Sequence, residues 1–179
     1  MMSNPNNRSV HKIFIAAPID KVWQQITQRD GLQAQFFNAR LDTPGLAPGA
    51  PIRMRTGKDG KYTSVVGEVL TYDPPHEYSH TFKFTNLDDP YCTVIYLLKA
   101  VDGGTEFTLI NEDMPAGSKT EKYMVQGADF ILQTLKGLME SGKPPFKSRL
   151  LLAMIGLFAF ATPKRCRSEH WPFDLQEEA

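Results

Sequence analysis

Residues 10–16 alternate between apolar and polar, with Ile13 and Ile15 in step, which predicts a strand. Pro18 stops it and opens a helix. Proline at a first helical position has the required φ and forfeits no needed donor, and Asp20 in the first turn suits the positive end of the dipole. Ile19, Val22, Trp23 and Ile26 follow at helical spacing, so this short helix has one apolar face, and Trp23 on it is expected to be buried. Residues 43–51 turn to Pro, Gly and Ala and read as a loop. Beyond it, residues 52–56, 62–72, 76–85, 91–100 and 105–113 read as strands, separated by turn signals such as Asp59-Gly60, Asp73-Pro74-Pro75 and Asp102-Gly103-Gly104. Strands so close together, with no helical pattern between them, predict hairpins and an antiparallel meander.

The period then changes from 2 to 3.6. Met124, Ala128, Ile131, Leu135 and Leu138 form a stripe along a helix predicted over residues 118–141, roughly 35 Å long at 1.5 Å per residue. Gly142 and Pro144 end it. A helix of that length can cross a whole small sheet. Residues 1–143 are therefore expected to form one α+β domain, a curved antiparallel sheet wrapped around a long C-terminal helix, with 144–179 as an extension.

The extension has its own pattern. Residues 150–161 are almost continuously apolar, with Lys147 and Arg149 before them and Lys164, Arg165 and Arg167 after. The run is too short to span a bilayer, which takes about 20 apolar residues. A helix apolar on every side must be covered. Packing on its own domain or in a homodimer interface is the leading expectation, and peripheral membrane contact is the alternative.

Composition narrows the function classes. The chain has 179 residues, with 20 basic and 20 acidic side chains, so no global positive field drives binding to phosphate backbones, and nucleic acid is not expected as a partner. The polar N-terminus lacks the pattern of a secretory leader, and a cytoplasmic location is expected. Cys92 and Cys166 are too far apart for a paired-cysteine motif and read as free thiols. His76 and His80, four apart on a strand, have Cα atoms about 13 Å apart, so they cannot share one metal ion. No metal or cofactor is expected. Nucleophile elbows and phosphate loops are absent from the sequence. Glu112 and Asp113 lie at a strand end and point to opposite faces, so at most one of them faces the interior.

The residues that face inward can be read from alternation. In the strand from His76, the positions Tyr78, His80, Phe82 and Phe84 share one face, against Glu77, Ser79, Thr81 and Lys83 on the other. Corresponding sets in the next strands are Val94, Tyr96 and Leu98, and Phe107, Leu109 and Asn111. Together with Met124, Ala128, Ile131 and Leu135 of the long helix, these make an apolar wall with a few polar groups, the composition of a small-molecule pocket. The blander reading is that they are simply core. For residues 65–72 both faces carry apolar side chains, and no orientation follows.

Three stretches carry a family resemblance: Ile15-Ala16-Ala17-Pro18-Ile19-Asp20-Lys21-Val22-Trp23; Gly67-Glu68-Val69 leading to Asp73-Pro74-Pro75; and Gly104-Thr105-Glu106-Phe107-Thr108-Leu109. With the final helix from Gly127 to Gly142, they resemble the START or SRPBCC superfamily, the birch-pollen-allergen-like helix-grip fold. Within it they resemble the branch named for the C-terminal domain of the activator of the ninety-kilodalton heat-shock protein's ATPase. The resemblance covers roughly residues 8–143. It implies a short helix pair after the first strand and a ligand, where there is one, between the sheet and the long helix. Where the branch usually has Gly-Trp, this chain has Gly127-Ala128, which opens space there or moves the aromatic role to Phe130. The functions implied are binding of a lipid or other hydrophobic small molecule without catalysis, a cyclase or dehydratase acting on a polyketide-like substrate through His80, Tyr96 or Asn111, or a module that binds a chaperone partner.

Overall fold

The computed structural model describes residues 7–173. Strand β1 (Ser9–Ile15) leads into α1 (Ile19–Thr27) and a single 3-10 turn (Ala34–Phe36). Then come β2 (Arg40–Asp42), β3 (Pro51–Thr56), β4 (Tyr62–Asp73), β5 (Glu77–Phe84), β6 (Cys92–Val101) and β7 (Gly104–Glu112). The long helix α2 (Lys119–Ser141) and a further helix α3 (Phe146–Leu157) follow. All seven strands form one antiparallel sheet in the order β1-β7-β6-β5-β4-β3-β2. This is the helix-grip architecture, and the second member of the expected helix pair is the 3-10 turn.

The sheet bends where two adjacent strands, β3 and β4, are irregular. The pairing register shifts between Met54 and Arg55 on β3 and between Val69 and Thr71 on β4, and such bulges add local twist and curl a sheet. Gly67, between them, is obligatory, since a Cβ there would run into the Thr81 carbonyl. The concave face so formed holds α2. Ser118 caps that helix by accepting from the Glu121 amide at 3.0 Å, while Glu121 accepts from the Gly117 amide at 2.6 Å. At the other end Gly142 takes a left-handed conformation, φ 72°, and its amide closes on the Leu138 carbonyl.

Burial follows the apolar pattern at one end of the sheet. Ile15, Val22, Ile26, Phe107, Ala128 and Leu135 are fully enclosed, and Trp23 is buried with its ring 5.4 Å from Tyr72. On α2 the expected stripe is displaced. Leu132 and Thr134 are buried, whereas Ile131 and Leu138 are only half-buried.

The extension departs most from expectation. It is bound to the domain at both ends. Near its start, Pro145 sits against Gly137 of α2, where a Cβ would come within 2.6 Å of the proline ring, and Thr134 donates to buried Ser148 at 2.7 Å. At its far end Ser168 donates to the Gly60 carbonyl at 2.6 Å and shares a hydrogen bond with Thr63 at 3.0 Å. There too Arg53 donates to the Pro172 carbonyl at 3.0 Å. Between the anchors the outer side of α3 is not covered: Phe146, Leu150, Met154 and Leu157 are exposed, as are Phe158 and Phe160 just after it. The expectation of packing on its own domain therefore holds for one side of α3 only, because a helix apolar all round has more surface than a single contact can hide. None of the described helices is long and apolar enough to cross a membrane.

Candidate functional site

The curvature leaves a cavity of about 1140 Å³ between the sheet and α2. Its floor is set by strand register. Tyr78 of β5 pairs with Tyr96 of β6, which pairs with Leu109 of β7; the adjacent row is His80, Val94 and Asn111. Because alternate residues share a face, these two rows and Phe82 and Phe84 beyond them project to the same side. All eight line the cavity, as do Met124 and Ile131 of α2.

Four residues expected on the wall are elsewhere. Leu98 and Phe107 pair with each other one row further on, toward the end where α1 follows directly from Ile15. They are closed into packed core beneath α1, which contacts both β6 and β7. Ala128 and Leu135 are fully buried and also off the wall. At about 100° per residue, Tyr123, Gly127 and Ile131 occupy one side of α2, whereas Ala128, Leu132 and Leu135 are turned into the core. The space near the Gly127-Ala128 pair is consequently at Gly127, where a Cβ would meet only the Phe37 ring, at 3.6 Å. Phe130 stacks on that same ring, with centroids 4.4 Å apart.

Much of the wall comes from segments without a periodic signal. Leu32, Gln33, Phe36 and Phe37 contribute from the stretch after α1, and Met54 and Tyr62 from the β3–β4 hairpin. The largest unforeseen contribution is the extension, which supplies Leu151, Leu152, Ile155, Phe158 and Cys166 among others. Leu151, Ile155 and Phe158 line the cavity while remaining at least 40% exposed, so they stand at its mouth. The extension is thus a strap, fixed at both ends, along the open side of the cavity.

Three polar rings of the sheet wall form a cluster. Tyr78, His80 and Tyr96 have centroids 5.3 to 5.9 Å apart. His80 Nδ1 lies 2.8 Å from the Thr81 carbonyl, which can only accept, so Nδ1 carries the proton and Nε2 is left as an acceptor. Burial pushes this imidazole from its ordinary 6.5 down to about 4, against the opposing pull of the Thr81 carbonyl, and it is neutral at pH 7. Burial, reinforced in each case by a neighbouring phenol, raises the Tyr78 and Tyr96 hydroxyls well above their usual range, so both remain donors. Tyr78 Oη and Gln33 Oε1 are buried without a hydrogen-bond partner among the described residues, a state that costs about 1–3 kcal/mol each until a partner arrives. Asn111 is already committed, donating to Ser9 at 3.0 Å. Glu112 pairs with Arg8 at 2.8 Å and does not line the cavity.

Both thiols are free and buried. Cys92 is buried against the Met124 sulfur at 3.3 Å, and burial pushes its thiol up to about 12. Cys166 is buried in the strap. Among the described residues no three His, Cys, Asp or Glu side chains are grouped to hold a metal ion.

Comparison with known proteins gives the geometry a context. A family model described as Activator of Hsp90 ATPase homolog 1-like protein matches residues 16–140. DynU16, a protein of the dynemicin biosynthetic locus, superposes with a TM-score of 0.64 and 22% identity over 78% of this chain and 49% of its own, so the chain spans about half of DynU16. The Aha1 dimer from Colwellia psychrerythraea gives 0.61 and 19% identity, covering 77% of this chain and 99% of that one. CalU16 from Micromonospora echinospora gives 0.59 and 18% identity, covering 86% of each. At such identities the likeness is one of fold. No curated protein matches the sequence. The family match stops short of α3, so the strap lies outside it.

Proposed function

The chain belongs to the Activator of Hsp90 ATPase homolog 1-like family, and from that premise we propose that it is a non-catalytic binding protein for a hydrophobic small molecule bearing a polar group. The observation that carries this reading is the cavity itself: about 1140 Å³, walled mainly by apolar and aromatic surface, with Tyr78, His80 and Tyr96 clustered on the sheet side and other polar side chains such as Gln33, Thr63 and Asn86 elsewhere on the wall. Pockets for drug-sized ligands run to about 300–1,000 Å³ and share this composition, so the space suits a lipid-sized molecule. The apolar body would rest on Phe82, Phe84, Val94, Leu109, Met124 and Ile131. Its polar group would meet the Tyr78 and Tyr96 hydroxyls and the His80 Nε2 acceptor.

Catalysis by the same three rings is the second reading. A neutral imidazole with a free Nε2 beside two phenols is an arrangement that can take a proton and polarise a carbonyl, as a cyclase or dehydratase requires. A chaperone-partner role draws on the family name and on the fold likeness to Aha1, not on any side chain of the cavity. That role would use the outer surface, and the cavity is not explained by it.

Uptake of nile red tests the first reading. The native protein should bind the dye with a fluorescence increase. Ile131→Trp, which fills the cavity from α2 and leaves the outer surface of α3 unchanged, should lose most of that binding while melting as one transition. Equal uptake by both forms would contradict the proposal. Turnover of a molecule co-purifying with the native protein, abolished in His80→Asn, would replace it with the catalytic reading.

A further inference from the structure

Starting from that reading of the cavity, we propose that the outer face of α3 docks the protein on a lipid bilayer bearing anionic headgroups, with the cavity mouth against the membrane. At 3.6 residues per turn, Phe146, Leu150, Met154 and Leu157 fall within about 80° of one another around the helix. They are 75%, 54%, 49% and 71% exposed, and Phe158 and Phe160 prolong the patch at 56% and 80%. Four large side chains on one face and two phenylalanines beyond its end are more than scattered surface apolarity.

Charge identifies the occupant. Residues 141–168 contain six basic side chains and no acidic one, in a chain whose overall charge is balanced. Lys147 and Arg149 lie on either side of the apolar face, and Lys143 and Lys164 stand near the two ends of the strap. These four form no ion pair among the described residues, whereas Arg165 is taken by Asp88 at 2.6 Å and Arg167 is near Glu169 at 3.6 Å. An apolar face rimmed by unpaired cations is complementary to acyl chains under anionic headgroups. A second copy of the chain fits less well, because a two-fold contact would bring the Lys147 and Arg149 rims of both copies together with no acidic residue on α3 itself or elsewhere in residues 141–168 to offset them.

The anchoring gives the contact its consequence. Pro145 against Gly137, Thr134 with Ser148, and Ser168 with Gly60 and Thr63 hold both ends of the strap to the domain. A bilayer that takes up the outer face of α3 therefore lies beside Leu151 and Ile155 at the mouth. An apolar ligand would pass between membrane and cavity without crossing water. At 12 residues α3 lies in the interface and does not span it.

Flotation of the full-length protein tests this, with vesicles of phosphatidylcholine alone and of phosphatidylcholine with phosphatidylglycerol. The protein should float with the anionic vesicles, and less so as salt rises. Lys147→Gln/Arg149→Gln should weaken that binding about twenty-five-fold, at roughly fivefold per charge. Leu150→Ser/Leu157→Ser, on the outer face and off the cavity wall, should weaken it by at least about tenfold and leave nile red uptake unchanged. No flotation with either vesicle, or flotation of both variants equal to that of the native protein, would overturn the proposal. So would a dimer in analytical ultracentrifugation that Leu150→Ser/Leu157→Ser dissociates. Failure of the cavity reading is separately visible, as dye uptake insensitive to Ile131→Trp while flotation persists.

Discussion

His80 shows how one buried side chain couples ligand chemistry to stability. Its imidazole titrates near 4 in the folded chain and near 6.5 when unfolded, so the unfolded state takes up a proton first as the pH falls. The stability tied to the neutral ring is complete above about pH 6.5 and is lost between there and pH 4, an effect of about 3 kcal/mol. Urea midpoints of the native protein should fall across that window, and those of His80→Asn should fall less steeply. Parallel pH profiles would show that His80 is not the titrating group. Gly127 is the converse case, a helix glycine whose added Cβ meets open space and one ring. Gly127→Ala should raise stability by about 0.5–1 kcal/mol in chemical denaturation. A loss would mean that the cavity side of α2 is tighter than its geometry. The Tyr78, His80, Tyr96 cluster was legible in the sequence because alternation along a strand fixes which residues share a face. Gln33 and Phe37 were not, since their segment has no period, and Phe37 reaches the wall through a left-handed backbone that no pattern announces.

At the scale of elements, six of the seven strands and both long helical patterns were readable; β2, only three residues long, is too short to show alternation, and the other misreadings concern which way a face is turned. A stripe at i, i+4, i+7 covers about a third of a helix. On α2 that third is divided between the cavity and the core, which is why Ala128 and Leu135 are core and Gly127 is wall. For α1 the reading was simpler, because all its apolar residues meet one surface. Trp23→Ala should cost about 3–5 kcal/mol, read from the shift in denaturation midpoint. An unchanged midpoint would contradict the packing of α1 over the sheet. Attachment of α3 rests on a small contact, and Thr134→Val should cost about 1–3 kcal/mol by leaving the Ser148 hydroxyl buried without its partner. If proteolysis of the strap is no faster in that variant, the Thr134–Ser148 bond does not hold it.

For the whole molecule, the division into a domain and an appendage understates what the extension does. It supplies one side of the cavity, and its return to the β3–β4 hairpin depends on contacts over a hundred residues apart in sequence, such as Arg53 with Pro172, which periodicity cannot reveal. Removing residues 144–179 should lower stability by roughly 3 kcal/mol, from the lost burial of Leu152 and the lost Ser148 bond, and should weaken dye uptake by opening the cavity. The most direct test of a cavity built to hold an apolar molecule is native mass spectrometry of gently purified full-length protein beside Ile131→Trp. A discrete small-molecule adduct on the native protein, absent from the variant, is the expected result. The same adduct on both proteins, or none on the native protein even after incubation with nile red, would contradict it.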